Sequence, residues 1–410
     1  MATHSIRKVS CAGTGYSVVD LNDVRHVFAS AVPRCGGTLR QQAEDALRTI
    51  EAVIHEEGAR GSIIQQAVFL ADMNQVEECR QIIRDFYGKD LPATSYIPQP
   101  PCEGKLLAIE ALGVGQGQGE VEIERVSEQV VISRHNGIAW AHCAHVLPQT
   151  NANDLYNGAL NAFEQIRSLL GSVNLRFDQV IRTWLYLGGI VEGEGTEQRY
   201  RELNRARSDF YRDIPFLAGR LPGSLREPVY PASTGIGIEG RGIMMSAIAL
   251  ATDRKDIIAI PLENPRQTAA YDYAAHYSPQ SPKFSRALAL SCGDYATIFI
   301  SGTASITNSE TRHLGDAVAQ TNETLDNIAA LISEENLHRH GLPGLGTSLD
   351  GLALVRVYIK RQADYAGIRA ACERRLGEMP TIYAVADVCR PELLVEIEGI
   401  AFARKAPVAA

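Results

Sequence analysis

The sequence predicts an α+β fold of three tandem units, each a mixed β-sheet with two helices packed on one face. Three recurrences carry the prediction. Counting forward by 3, 4, 7, 10 and 11 from Ala43, Ala159 and Thr321 reaches apolar residues at fourteen of fifteen positions, with Thr324 the exception. That spacing is the stripe of one helix face. A short β-type run follows each helix, at residues 67–70, 180–186 and 354–359. A second amphipathic helix comes next, at 76–86, 200–211 and 365–376, and a proline-led stretch then opens a closing strand at Pro92-Ala93, Pro231-Ala232 and Pro380-Thr381.

In order along the chain, unit one spans 1–112, with its opening strand at 26–29 and its last at 105–109. The glycine-rich stretch from Gly113 to Gly119 looks like a phosphate loop but lacks the Lys-Ser/Thr pair that holds a terminal phosphate and Mg²⁺, so it reads as a connector. Unit two spans 113–255 and closes with a strand at 243–248. A connector rich in Pro, Tyr and Ser occupies 256–287. A connector of that length without periodicity is functional or disordered, and Tyr271, Tyr273 and Tyr277 argue for an ordered, packed segment. Unit three, 288–410, carries the candidate catalytic residues.

The 410 residues have 45% hydrophobic side chains and a net charge of −8. The acidic balance, with charges alternating and no basic block, argues against general nucleic-acid or anionic-membrane binding. No window has the length and apolarity of a membrane-crossing helix. The first ten residues are polar rather than signal-like, so a cytoplasmic location is expected. The eight cysteines include no CxxC pair and read as reduced thiols rather than a disulfide framework.

The order hairpin, helix, strand, helix, closing strand resembles the Rid family (reactive-intermediate deaminases), usually homotrimers with sites at the subunit clefts. The resemblance implies an internal pseudo-trimer, or units that pair with those of another chain. Rid deaminases place a carboxylate-binding arginine just after the Pro-Ala. Here the segments read Pro92-Ala93-Thr94, Pro231-Ala232-Ser233 and Pro380-Thr381-Ile382, which argues against enamine or imine deamination.

Units two and three resemble the chorismatase family, built on Rid-like units. The matching stretches include Asn204-Arg205-Ala206-Arg207, Pro231-Ala232-Ser233-Thr234-Gly235, Glu263-Asn264-Pro265-Arg266-Gln267, Lys283-Phe284-Ser285-Arg286, Ser301-Gly302-Thr303-Ala304 and Cys389-Arg390-Pro391-Glu392 running on to Glu396-Ile397-Glu398. The resemblance implies cofactor-free loss of the enolpyruvyl group of chorismate as pyruvate. Members like this chain at Gly302 and Cys389 form 3-hydroxybenzoate, whereas members with alanine there tend toward a dihydroxycyclohexadiene carboxylate. It also selects Glu396 as the acid and Cys389 as its catalytic neighbour. Unit one is a departure, an extra N-terminal repeat.

The residues themselves support part of this. Cleaving an enol ether needs a proton at the methylene carbon, a task for a carboxylic acid of raised pKa. Strand alternation puts Glu396 and Glu398 on one face, where each raises the other's pKa; a solvated acidic strand face is the bland alternative. Cys389 is either a small buried thiol or a shaper of the pocket that handles a proton. Gly302 marks a bulge or a close approach to ligand. A dicarboxylate substrate calls for arginines. Arg207 stands on a helix stripe whose counterparts, Ile83 and Cys372, are apolar, so it meets either a substrate carboxylate or an internal salt bridge. Arg205, Arg286 and Arg356 are further substrate-binding candidates, although Arg356 aligns with Arg182 and so fits a structural role common to two units. Tyr273 lines or lids the site, with Tyr271 and Tyr277 as companions.

No metal site is expected: His142 and His145 point to opposite strand faces, and His338-Arg339-His340 reads as a polar loop insertion. The leading function is a chorismate-cleaving enzyme forming 3-hydroxybenzoate and pyruvate, with chorismate as its small-molecule partner and self-association through the units as a further expectation. The alternatives are a Rid-type deaminase and a non-catalytic ligand-binding protein.

Overall fold

The apolar stripes form helices at the expected places because their buried residues fall on one face. In α1 (Leu39–Glu57) that face is Ala43, Ala46, Leu47, Ile50 and Ile54. The computed structural model describes residues 6–11, 13–57, 62–116, 120–149, 154–222, 228–273 and 280–405. Tyr277 and the glycines at 117 and 119 lie outside the described residues.

The first sheet consists of β1 (Ile6–Cys11), β2 (Thr14–Leu21), β3 (Val24–Ala31), β4 (Ser62–Leu70), β5 (Ala93–Ile97) and β6 (Leu107–Gln116), in the order β1-β2-β3-β6-β4-β5. Helices α1 and α2 (Val76–Tyr87) connect its strands. The second sheet holds β7 (Glu122–Ser127), β8 (Val130–His135), β9 (Ile138–Val146), β10 (Val180–Gly188), β13 (Ala232–Ile238) and β14 (Ile243–Thr252), with α3 (Leu155–Ser172) and α4 (Arg199–Tyr211). A two-strand ribbon, β11 (Gly193–Glu194) and β12 (Glu197–Gln198), precedes α4. The third sheet holds β15 (Ile258–Leu262), β16 (Ala287–Cys292), β17 (Tyr295–Ala304), β20 (Leu352–Ile359), β21 (Thr381–Val385) and β22 (Val395–Arg404), with α5 (Ala317–Ile332), a short α6 (Glu334–Arg339) and α7 (Tyr365–Leu376). A small ribbon, β18 (Ile306–Thr307) and β19 (Glu310–Thr311), follows β17. The orders β7-β8-β9-β14-β10-β13 and β15-β16-β17-β22-β20-β21 repeat that of the first sheet, and each sheet ends in one parallel pair.

The β-type runs read as nearly continuous apolar stretches because they lie inside the sheets: every residue of β10 and of β20 is buried, as expected of strands covered on both faces. The helix-free faces meet each other. Ser95 Oγ of β5 lies 2.8 Å from Ser246 Oγ of β14, the Ser233 N–H of β13 donates to Ser301 Oγ of β17, and Ser17 Oγ of β2 donates to the Ala353 carbonyl of β20. Strands of all three sheets enclose a cavity of about 80 Å³, lined by His26, His135, His142, Trp140, Phe299 and Phe402 among others.

The structure corrects two expectations, the start of unit one and the loop at 338–340. The hairpin β1–β2 precedes the strand expected to open unit one. His338 and Arg339 end helix α6 instead of lying in a loop, and the His340 ring accepts the Glu263 N–H through Nε2. His142 faces the central cavity, with Nδ1 2.9 Å from Gln65 Oε1, while the His145 ring accepts the Tyr96 N–H. Among the described residues no cluster of three or more His, Cys, Asp or Glu has metal-binding geometry.

Candidate active site

Strand β22 supplies the chemistry. Val395 and Ile397 belong to the core that includes Leu325 and Ile328 of α5, so alternation turns Glu396 and Glu398 the other way, toward the second sheet. Both are buried, at 4% and 3% exposure, yet their surroundings differ completely. Glu398 accepts from Arg182 Nη2 at 2.5 Å, Trp184 Nε1 at 2.8 Å and Tyr358 OH at 3.0 Å, accepts also from Thr234 Oγ1, and lies 3.2 Å from Arg356 Nη1. This cluster outweighs burial and holds its pKa below the usual carboxylate range. Glu396 faces a cavity instead. Burial, then the neighbouring Glu398 charge, push its pKa up to about 8, so it is a protonated acid at neutral pH.

Gly302 decides where the Glu396 carboxyl sits. It lies in a bulge where the β17–β22 register shifts between Ile300 and Thr303, and its N–H donates to Thr234 Oγ1 at 2.9 Å. A Cβ at this position would come within 2.1 Å of Glu396 Oε1 and 2.9 Å of its Cδ. Both open readings of Gly302 therefore meet: it is a bulge, and the group approaching it is the acid itself.

The cavity has a volume of about 450 Å³ and lies between α4, β13, the connector, β17, the loop before β22, and β22, a size that suits a small molecule. Arg207 is 1% exposed; it donates to Asn204 Oδ1 at 2.5 Å and Ser233 Oγ at 3.4 Å, and its Nε has no partner. No internal salt bridge compensates it among the described residues. Arg286, 3% exposed, donates to Tyr273 OH at 2.5 Å and the Thr268 carbonyl at 2.9 Å, again with Nε unpartnered. Glu263, whose Oε1 accepts the Arg286 backbone N–H at 3.4 Å, favours the charged form of that guanidinium, whereas Arg207 has no carboxylate partner among the described residues. Two buried guanidinium groups facing one cavity make a site for an anion. Cys389 lines the same wall. Burial, then Glu396, push its thiol up to about 12, so it is a neutral thiol rather than a thiolate nucleophile.

Glu396, Cys389, Gly302, Arg207, Arg286 and Tyr273 thus line one cavity. Two candidates do not. Arg205 projects from the opposite side of α4, paired with Glu202 at 2.5 Å and stacked 3.8 Å over Tyr156, because two residues turn a helix by about 200°. Arg356 lies on the far side of Glu398, donating to both oxygens of Glu110 at 2.8 and 2.6 Å. Its alignment with Arg182 is also offset. The bulge falls immediately before Arg182 in β10 and before Leu354 in β20, so Arg356 matches Trp184. Tyr271 packs on Tyr230. Sequence reasoning missed Tyr200 and Arg390, which also line the cavity. Tyr200 lies one turn before Asn204 and two before Arg207, and a stripe of polar groups on an inward helix face was the available signal.

The chain is similar to known proteins. Residues 116–249 match the family model described as Chorismatase FkbO/Hyg5-like, N-terminal, and residues 27–110 match the model described as Endoribonuclease L-PSP. A 3-hydroxybenzoate synthase of Streptomyces hygroscopicus is 34% identical over 279 residues, 65% of this chain and 76% of that protein. A chorismatase of Streptomyces rapamycinicus is 35% identical over 278 residues, 65% of this chain and 77% of that protein. A chorismatase crystal structure superposes with a TM-score of 0.64 at 23% identity, covering 83% of this chain and 93% of that one, which shows the shared fold. With relatives above 30% identity spanned over three quarters of their length, the chain belongs to the chorismatase family.

Proposed function

We propose that the protein converts chorismate to 3-hydroxybenzoate and pyruvate. The observation that carries this is Glu396, a buried carboxylic acid raised to about 8, facing a cavity with two buried arginines whose Nε atoms have no hydrogen-bond partner. Arg207 and Arg286 hold the substrate carboxylates, and the neutral Glu396 carboxyl delivers its proton to the enol-ether methylene carbon. The enolpyruvyl carbon then carries an oxocarbenium-like charge and the group leaves as pyruvate with the ether oxygen; its bond to the ring breaks as the neighbouring ring hydroxyl gives up its proton and bonds to the vacated carbon. The bridging oxygen then releases its original carbon, and loss of the ring proton at its new position leaves an aromatic ring with one hydroxyl. Atoms balance between chorismate and the two products, with no oxidant or reductant consumed. Cys389, a protonated thiol beside Glu396, shapes the ring end of the cavity. Relatives carrying the names 3-hydroxybenzoate synthase and chorismatase support the reading.

The proposed architecture is a pseudo-trimer within one chain, its three sheets taking the places of three subunits and its cavity closed by units two and three alone. Enamine deamination is not favoured, since Thr94, Ser233 and Ile382 stand where the Rid arginine would. Incubation with chorismate, with products separated by chromatography, tests the function. Equimolar pyruvate and 3-hydroxybenzoate are expected. Unchanged chorismate overturns the proposal, and a dihydroxycyclohexadiene carboxylate as main product overturns the branch alone.

A further inference from the structure

The buried charges beneath Glu396 do not all come from the two units that form the cavity. Glu398 lies two residues along β22, and Arg182 and Arg356 converge on it. Arg356 is in turn held by Glu110 of β6, in the first sheet, through two parallel hydrogen bonds of 2.8 and 2.6 Å, and by Tyr186 OH at 3.1 Å. Glu110, Arg182, Arg356 and Glu398 are each no more than 6% exposed. Two arginines thus meet two carboxylates, and the cluster is neutral as a whole. Thr234 ties it to the acid: its Oγ1 donates to Glu398, accepts from Arg182 at 2.6 Å and accepts from the Gly302 N–H, the backbone against which the Glu396 carboxyl packs.

We propose that Glu110 is a positioning residue of the active site: it holds Arg356 and balances its charge, so that no net positive charge stands beneath Glu396. Unit one thereby takes part in catalysis without touching the cavity. The inference rests on the reading of Glu396 as proton donor. Glu396 also faces Arg286 from the connector side, Cys389 from the loop before β22, and Tyr200 from α4, which share its cavity with Arg207 and Arg390. None of these touches Glu110, so replacing it changes the charge on the cluster side alone. Glu110→Gln leaves the cluster with one net positive charge, two arginines against Glu398 alone, which favours the ionised form of Glu396. A unit charge roughly 10 Å away, at an effective dielectric near 20, moves a carboxyl by about one pH unit.

The experiment is the pH profile of kcat/KM for chorismate, whose alkaline limb reports loss of the acid's proton. Glu110→Gln should move that limb down by about one unit. Arg356→Gln, which removes the opposite charge, should move it up, and the double variant should return it close to wild type. Glu110→Asp keeps the charge and should leave the limb in place. A merely structural Glu110 would lower stability or activity at every pH without moving the limb, and that outcome overturns the proposal. If Glu110→Gln does not fold, the direction of the Arg356→Gln shift decides. Infrared difference spectra against Glu396→Gln titrate the protonated carboxyl directly. A wild-type protein inert toward chorismate therefore refutes the proposed function, whereas an unmoved carboxyl band refutes the role of Glu110.

Discussion

Replacing Glu396 by glutamine should make the protein more stable and almost inactive. The carboxyl sits near pKa 8 in the folded protein against 4.5 as an ordinary glutamate. Between those values the unfolded chain releases a proton that the folded state retains, so folding is disfavoured increasingly as pH rises from 4.5 toward 8. The cost is below about 1 kcal/mol at pH 5 and about 3 kcal/mol at pH 7, at 1.36 kcal/mol per unit. Glutamine keeps the shape and has no proton to retain, so the cost disappears. For a chain of this size the gain at pH 7 amounts to roughly 3 °C in melting temperature. Turnover should fall by about 10²–10⁴, the usual share of a positioned general acid. Chemical denaturation at pH 5, 7 and 8, alongside chorismate turnover, measures both effects. Turnover within tenfold of wild type, or a stability difference that does not widen with pH, would refute the assignment. Glu398→Gln is expected to do the reverse in stability: it strips a buried charge from Arg182 and Arg356 and should cost about 3–5 kcal/mol.

Gly302→Ala places a methyl where the Glu396 carboxyl now lies, so kcat should drop by about 10²-fold, the scale of a 1 Å misplacement, with KM changed less; steady-state kinetics separates the two. Cys389→Ala should shift products toward the dihydroxycyclohexadiene carboxylate, read by chromatography, and an unchanged product profile would leave the thiol a packing role. Arg207→Met should raise KM for chorismate at least about tenfold while leaving the melting temperature unchanged or higher, since no carboxylate partner is orphaned among the described residues. Burial depresses His26, His135 and His142 to about 3, 4 and 3. Their contribution is complete above the unfolded value of 6.5 and is lost as pH falls toward 4, by about 2 kcal/mol each at pH 5; denaturation at pH 7 and 5 checks it, and His142→Gln should reduce the loss.

What the sequence made legible was whatever depends on local period. The helix stripes predicted α1, α3 and α5, the second-helix pattern predicted α7 with the bounds found, and alternation placed Glu396 and Glu398 on one face. The hairpin β1–β2 escaped because β1 has no buried residue, hence no alternation strong enough to register. What separates Glu396 from Glu398 is not local either. Glu398 is ionised because Arg182 and Thr234 reach it from the second sheet and because Glu110, in the first, steers Arg356 toward it. A strand sequence reading Glu-Ile-Glu contains none of that. The two-residue offset between Arg182 and Arg356 has a similar origin, since a bulge displaces register without marking the sequence.

Matching strand registers across the three sheets explain why one junction is equipped for this chemistry. Ala67 opposite Glu110, Trp184 opposite Ser246 and Arg356 opposite Glu398 occupy the same place. Two residues earlier on the long strands stand Ala108, Met244 and Glu396, so the acid belongs to unit three alone. The position of Gly302 in β17 corresponds to His145 in β9, each preceding the residue that resumes the register after a bulge. At the junction of β5 and β9 the imidazole fills the space against Tyr96. At the junction of the third sheet with the first, a cavity of about 180 Å³ survives, lined by Ser30, Glu103 and Arg369 among others, but the strand behind it presents Ala108. Glycine beside the acid leaves room for its carboxyl, and burial, then the ionised Glu398 below, keeps that carboxyl neutral. Arginines on the facing helix and connector supply the missing cations. Each of these features occurs at the cavity between units two and three, and the same backbone elsewhere carries a methyl, a thioether or an imidazole in place of the acid or the glycine.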